Sequence, residues 1–107
     1  MVWGLGSSFK EVDVQESKTL LANEKAVLLD CRKEEDFKKF HISGAISINA
    51  KNLDNVAKKI EDKNIPVICY CYKGFSSKRY CEQLAGKGFS RVYNLKGGFD
   101  AWKTGGQ

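Results

Sequence analysis

The sequence has one proline (Pro66), one histidine (His41) and one methionine, and no apolar run comes near the roughly 18 residues that a membrane span requires. A proline-poor chain with 42% apolar and 29% charged residues has the composition of a soluble globular protein and not of a fibrous or disordered one. Its opening, MVWGLGSSFK, lacks the basic start and apolar centre of a secretory signal, so the expectation is a cytoplasmic protein with no membrane partner. The scarcity of histidine also bears on chemistry. A cysteine paired with an imidazole base would have to use His41, and a lone histidine beside Ile42 and Ser43 suits a structural turn better.

The four cysteines, Cys31, Cys69, Cys71 and Cys81, do not form the two close pairs of a zinc ribbon, so no metal is expected. Without an export signal they read as thiols, and the geometry of a disulfide is too narrow to suit a Cys-x-Cys pair in an extended strand. A phosphate-binding P-loop is excluded because Lys73 precedes Gly74 and the glycine-to-GK[ST] spacing is missing. No cofactor is implied. Charge is also limited: 18 Lys plus Arg against 13 Asp plus Glu gives +5, enough to draw small anions or acidic partners. Lys38-Lys39 and Lys58-Lys59 fall on polar helix faces, and no stripe of alternating aromatic and basic residues is present, so no nucleic-acid partner is expected. A monomer is the expectation.

A chain of 107 residues suits one domain, with a core over about 9–103 and an N-terminal arm over 1–8. AVLLDC at 26–31 and VICYC at 67–71 are short apolar runs of the kind buried on both faces of a parallel sheet. Shorter strands are expected at ISIN (46–49), RVYNL (91–95) and near Glu11 to Val14. Helical spacing appears in LDNVAKKIED, with Leu53, Val56, Ala57 and Ile60 on one face, which ends before Pro66. EEDFKKF forms another, its acids first and its lysines last, with Phe37 and Phe40 inward. A third runs from about Ser77 to Lys87, burying Tyr80, Cys81, Leu84 and Ala85 and ending in a left-handed turn at Gly86 or Gly88. Alternating strands and helices imply an α/β fold. The Lys-Gly-Phe and Lys-Gly-Gly-Phe segments recur at intervals too short and unequal for a repeat architecture and read as turn chemistry.

Ligands of an open parallel sheet bind beyond the carboxyl ends of its strands, where VICYC runs out into YKGFSS. Cys71 stands at that exit, while Cys69 lies inside the strand, where a small thiol packs well and need not react. Gly74 lets the chain curl so that amides from Tyr72 to Ser77, through Lys73, Phe75 and Ser76, converge as an anion nest at a helix start. Lys73 adds charge, and the Ser76 hydroxyl is available to an anion or as a helix cap. The residues alone leave two readings: a nucleophilic thiolate in an oxyanion cradle, or a plain strand–turn–helix connection with a buried thiol.

LLDCRKEEDFKKFHISGAISIN (28–49), VICYCYKGFSS (67–77) and VYNLKGGFDAW (92–102) together resemble, in order and separation, the signature blocks of a single-domain rhodanese. The resemblance implies an α/β fold with a five-stranded parallel sheet and helices on both faces. It also implies an active-site loop, CYKGFS, that starts at a catalytic Cys71. Its implied activity moves a sulfane sulfur from thiosulfate or a persulfide donor to cyanide or a thiol acceptor. Asp30, Arg32 and His41 match residues that mainly hold structure in the family, as do Gly97, Gly98, Phe99 and Trp102 of the closing block. Whether Asp30 and Arg32 pair is not readable from the sequence.

Two departures stand out. Many single-domain members carry arginine at the first and last variable loop positions, where this chain has Tyr72 and Ser76, with Lys78 and Arg79 nearby to compensate. The loop is more similar to the form with lysine second and a hydroxyl residue last, associated with thiosulfate in two-domain enzymes. The related phosphatases end a longer loop in arginine. Ser77 stands there, so no guanidinium fork gathers a phosphoryl group and phosphatase activity is not expected. The alternative to an enzyme is a persulfide carrier or a non-catalytic interaction module. A further role for Cys69, resolving an oxidised or persulfidated Cys71, is suggested by spacing and opposed by strain.

Overall fold

The computed structural model describes residues 8–105; all but the last residue of the expected arm lies outside them. Five strands, β1 (Lys10–Val12), β2 (Val27–Asp30), β3 (Ile46–Ser47), β4 (Val67–Tyr70) and β5 (Val92–Leu95), form one sheet in the order β1-β5-β4-β2-β3. Every pairing is parallel, so the chain crosses over between strands and helices cover the sheet. The five helices are α1 (Val14–Glu24), α2 (Glu34–Lys39), α3 (Leu53–Lys59), α4 (Lys78–Gly86) and α5 (Gly98–Gly105). On one face Leu29, Cys69, Val67 and Val92 pack against Leu53, Ala57, Cys81 and Leu84 of α3 and α4. On the other, Leu28, Ile68, Tyr70 and Leu95 pack with Phe99 and with half-buried residues of α1, α2 and α5.

Helix α1 occupies a stretch with no strong apolar periodicity; Val14 opens it instead of ending a strand. Its start is marked by a capping box, in which Asp13 accepts from the Glu16 amide at 2.8 Å and Glu16 accepts from the Asp13 amide at 3.1 Å. The sequence pattern for α3 runs on to Asp62, yet the helix stops at Lys59 with Ile60 extended. Lys63 Nζ reaches back to the Ala57 and Ile60 carbonyls, satisfying the helix end without further turns. At the end of α4, Gly88 is the left-handed glycine, with φ 102°. Phe40 departs from the inward position expected of it: it is 65% exposed. Its backbone is extended just past α2, so helical spacing no longer sets its direction, and its ring rests 5.8 Å from that of Phe99.

Beneath the carboxyl ends of β2 and β4 lies a buried ionic knot. Asp30 is fully buried and accepts from the Arg32 amide at 2.8 Å, from Arg32 Nη2 at 3.0 Å and from the Tyr70 hydroxyl at 2.6 Å. Arg32 Nη2 also donates to the Phe40 carbonyl, and the Tyr70 hydroxyl accepts from the Ile42 amide at 3.2 Å. The pair thus ties the turn after β2 to the end of α2 and to the central strand. Removing one partner of such a pair leaves the other charge buried and alone, which costs about 3–5 kcal/mol. Asp30→Ala is expected to lower the unfolding free energy by about that amount in urea titrations; a loss under about 1 kcal/mol would show that the knot is not a structural anchor.

Candidate functional site

The site begins where β4 ends. Strand β4 is flanked on both sides by hydrogen-bonded neighbours, so Cys71, the next residue, leaves from the middle of the sheet. The residue is 2% exposed. The chain then turns back around the sulfur: the Gly74 amide donates to Sγ at 3.2 Å and the Ser77 amide at 3.4 Å, while Ser77 Oγ lies 3.2 Å from it. Gly74 makes the curl with φ 94°, and a Cβ there would lie 3.1 Å from the Leu95 carbonyl oxygen and from the Gly97 backbone nitrogen, a tight fit at a left-handed position.

Burial alone pushes the Cys71 thiol up, but the Ser76 and Ser77 hydroxyls and the Ser77 and Gly74 amides outweigh it, leaving the thiol below its ordinary value. Cys69 behaves oppositely. It is fully buried, and its contacts with Cys31 and Cys81, together with burial, push its thiol well up. All four cysteines are free thiols. Among the described residues, no group of three or more His, Cys, Asp or Glu is arranged to hold a metal.

The rest of the predicted loop divides into walls and rim. Gly74 and Ser77 are buried, whereas Tyr72, Lys73, Phe75 and Ser76 are exposed, Phe75 at 73%. Tyr72 leans away from the sulfur: its hydroxyl donates to the Asp36 carboxylate and its ring faces the Arg32 guanidinium at 5.7 Å. Lys78 pairs with Glu11 at 3.8 Å, and Arg79 lies over the Tyr80 ring at 5.8 Å. His41 stacks on Phe37 at 3.8 Å, with Nδ1 at 2.8 Å from the Phe37 carbonyl. Beside the loop is a cleft of ≈ 470 Å³ whose lining includes Glu11, Lys73, Lys78 and Lys96.

The closing block supports the loop from the other side. The Phe99 amide donates to the Cys71 carbonyl at 2.8 Å and the Asp100 amide to the Tyr72 carbonyl at 3.0 Å, so the first turn of α5 takes up carbonyls that the curl would leave unpaired. That approach needs Gly98. It has φ 59°, and a Cβ there would lie 2.6 Å from the Cys71 carbonyl oxygen. Three contributors escape the sequence reading: Gly98 as the contact surface for Cys71, and Asn94 with Glu11 behind the loop. Asn94 carries a readable signal, being the one amide in the apolar strand RVYNL, in phase with Val92.

A cysteine ringed by hydrogen-bond donors at the carboxyl edge of a doubly covered parallel sheet places the protein among α/β domains whose sites lie beyond the strand ends. Comparison with known proteins narrows this. The family profile described as Rhodanese-like domain matches residues 13–104. Thiosulfate sulfurtransferase GlpE of Coxiella burnetii is 34% identical over 96 residues, covering 90% of this chain and 89% of its own. The protein of the same name from Ectopseudomonas mendocina is 38% identical over 98 residues, covering 92% and 88%. Among solved structures, a thiosulfate sulfurtransferase from Pseudomonas aeruginosa superposes with TM-score 0.80 at 28% identity, over 92% of this chain and 19% of that longer one. The chain belongs to the rhodanese-like domain family and is a rhodanese-type sulfurtransferase.

Two outcomes test this geometry. Gly98→Ala strains a left-handed position and drives a methyl into backbone, so it is expected to cost more than about 1 kcal/mol in denaturant unfolding and to slow Cys71 alkylation; an unchanged variant would mean that α5 does not brace the loop. Alkylation of native Cys71 should rise with pH as thiolate forms and level off at lower pH than in the urea-unfolded chain, whose thiols titrate at about 8.5. Coincident native and unfolded profiles would show that the loop does not favour the ionised sulfur.

Proposed function

We propose that Cys71 is the nucleophile of a two-step sulfur transfer. Its thiolate attacks the outer sulfur of thiosulfate; the new S–S bond forms as the bond to the sulfonate sulfur breaks, sulfite leaves with the electron pair, and Cys71 holds a persulfide. Cyanide or a cellular thiol then attacks the terminal sulfur, taking it and returning Cys71 to the thiolate. The observation that carries this reading is the convergence of the Gly74 and Ser77 amides and the Ser77 hydroxyl on Sγ. Such donors favour the thiolate at the start and end of each cycle. The named activity of the relatives supports thiosulfate as donor.

The loop residues Tyr72, Lys73, Gly74, Phe75, Ser76 and Ser77 form the cradle in this reading, and the lysines of the neighbouring cleft supply positive potential for an anionic donor. We place the enzyme in the cytoplasm as a monomer and assign it no membrane or nucleic-acid partner; no helix among the described residues is long and apolar enough to cross a membrane. A second reading, a carrier that hands its persulfide to a protein thiol, draws support from the exposed Phe75 and Tyr72 in the loop that follows a buried Cys71. In it, a partner's thiol approaches over an apolar surface.

Incubation of the reduced protein with thiosulfate, followed by intact mass measurement, is expected to show the gain of one sulfur atom, absent in Cys71→Ser. Cyanide should discharge it. No gain from thiosulfate, but a gain from a protein persulfide donor, would favour the carrier; no gain from either would overturn both readings.

A further inference from the structure

Asn94 is fully buried in β5, beside Cys69 of β4 in register, and every polar atom of its side chain is engaged. Nδ2 donates to the Gly74 carbonyl at 2.9 Å and to the Glu11 carboxylate at 3.2 Å. Oδ1 accepts from the Ser77 hydroxyl at 2.6 Å. This orientation of the amide follows from its neighbours. Turned over, Oδ1 would face a carbonyl and a carboxylate, both acceptors, and Nδ2 would displace the Ser77 proton. One side chain therefore grips the two loop residues whose amides meet Cys71 Sγ.

We propose that Asn94 is the positioning residue of the site: by bonding the Gly74 carbonyl and the Ser77 hydroxyl together, it holds both sulfur-directed amides at hydrogen-bond distance, with Glu11 fixing the amide from behind. This deepens the assignment of Cys71 as nucleophile and rests on it. The grip also includes a hydroxyl that can turn between two acceptors. Ser77 has one hydroxyl proton and two acceptors, Asn94 Oδ1 at 2.6 Å and Cys71 Sγ at 3.2 Å. In the thiol state the links run from Cys71 S–H to Ser77 and from Ser77 O–H to Asn94. When the sulfur ionises, the hydroxyl turns to it, and Oδ1 keeps only the weak Cys81 thiol donor at 3.9 Å.

The hydroxyl and the two amides thus pull in opposite senses through Asn94. Its oxygen competes with the thiolate for the Ser77 proton, while its nitrogen keeps the nest closed. The positioning role requires the second to dominate. Charged and titratable groups around this hydroxyl are Glu11 and its partner Lys78, Lys73 and Lys96 of the cleft, and Cys81 and Cys69 on the covering helix and neighbouring strand.

The test is the pH dependence of Cys71 alkylation by iodoacetamide in Asn94→Leu and Asn94→Asp, each first shown to fold by circular dichroism. Both are expected to move the profile to higher pH, so that alkylation at neutral pH slows by about tenfold. An Asn94→Leu profile that stays in place or moves to lower pH overturns the proposal, since it would leave only competition for the proton; a shift confined to Asn94→Asp does so too, because added charge would then explain it. If Asn94→Leu does not fold, Asn94→Ser, which leaves room for water at the orphaned groups, is read by the same criteria. Alkylation does not require sulfur transfer. Failure of the wild type to take sulfur from either thiosulfate or a protein persulfide donor would therefore sink the proposed function while leaving this comparison to stand or fall separately.

Discussion

Cys71, a residue 2% exposed, receives little solvation, so its ionised form is favoured only where the protein supplies donors. Among the described residues those donors are two amides and the neighbouring hydroxyls, all from the loop that begins at Cys71 itself. This requirement shapes much of the molecule. Turning the amides inward demands a tight curl, the curl needs a left-handed Gly74, and a curl turns carbonyls outward that need donors of their own. The first turn of α5 provides them to Cys71 and Tyr72, and it fits only because position 98 has no side chain.

The strand order serves the same requirement. With β5 next to β4 and β1 at the edge beyond, residues distant in sequence reach the back of the loop. Asn94 comes from β5 and Glu11 from β1, and they contact each other at 3.2 Å. On the opposite side, β2 brings the Asp30–Arg32 pair under the loop, with the guanidinium 4.1 Å from the Phe99 ring centre. Phe99 is also the residue whose amide bonds the Cys71 carbonyl. The ion pair, the aromatic ring and the loop backbone are therefore one connected packing unit.

The strands at 26–31 and 67–71 were legible because burial on both faces leaves an apolar run, and the loop was legible because glycine and serines follow a cysteine at a strand end. Helix α1 was not, since its inner face is built from Ser17, Val14, Leu20 and Leu21 and not from a regular apolar stripe; the Asp13–Glu16 capping box was its one local mark. Helix α5 opens with a glycine that follows another, poor helix formers whose place is set by the loop beside them. The buried ion pair and the Asn94 contacts depend on strand neighbours far apart in sequence, which spacing alone does not reveal. Phe40 escapes the helical pattern because α2 ends one residue before it.

Among the described residues the groups that bond the sulfur are neutral. Arg32, a buried cation near the loop, is engaged by Asp30 and by the Phe40 carbonyl, and Tyr72 covers it without carrying charge toward Cys71. The lysines of the cleft, one of them paired with Glu11, are point charges on flexible stems, unlike the rigid fork of a loop arginine. Such charges attract anions broadly and select weakly among their shapes. Under the proposed chemistry, then, anion attraction and nucleophile activation are carried by different groups: lysines outside, neutral amides and hydroxyls inside. In that same reading, discrimination among sulfur donors falls to the curl of the loop, because a donor must pass between its exposed residues to reach a buried cysteine.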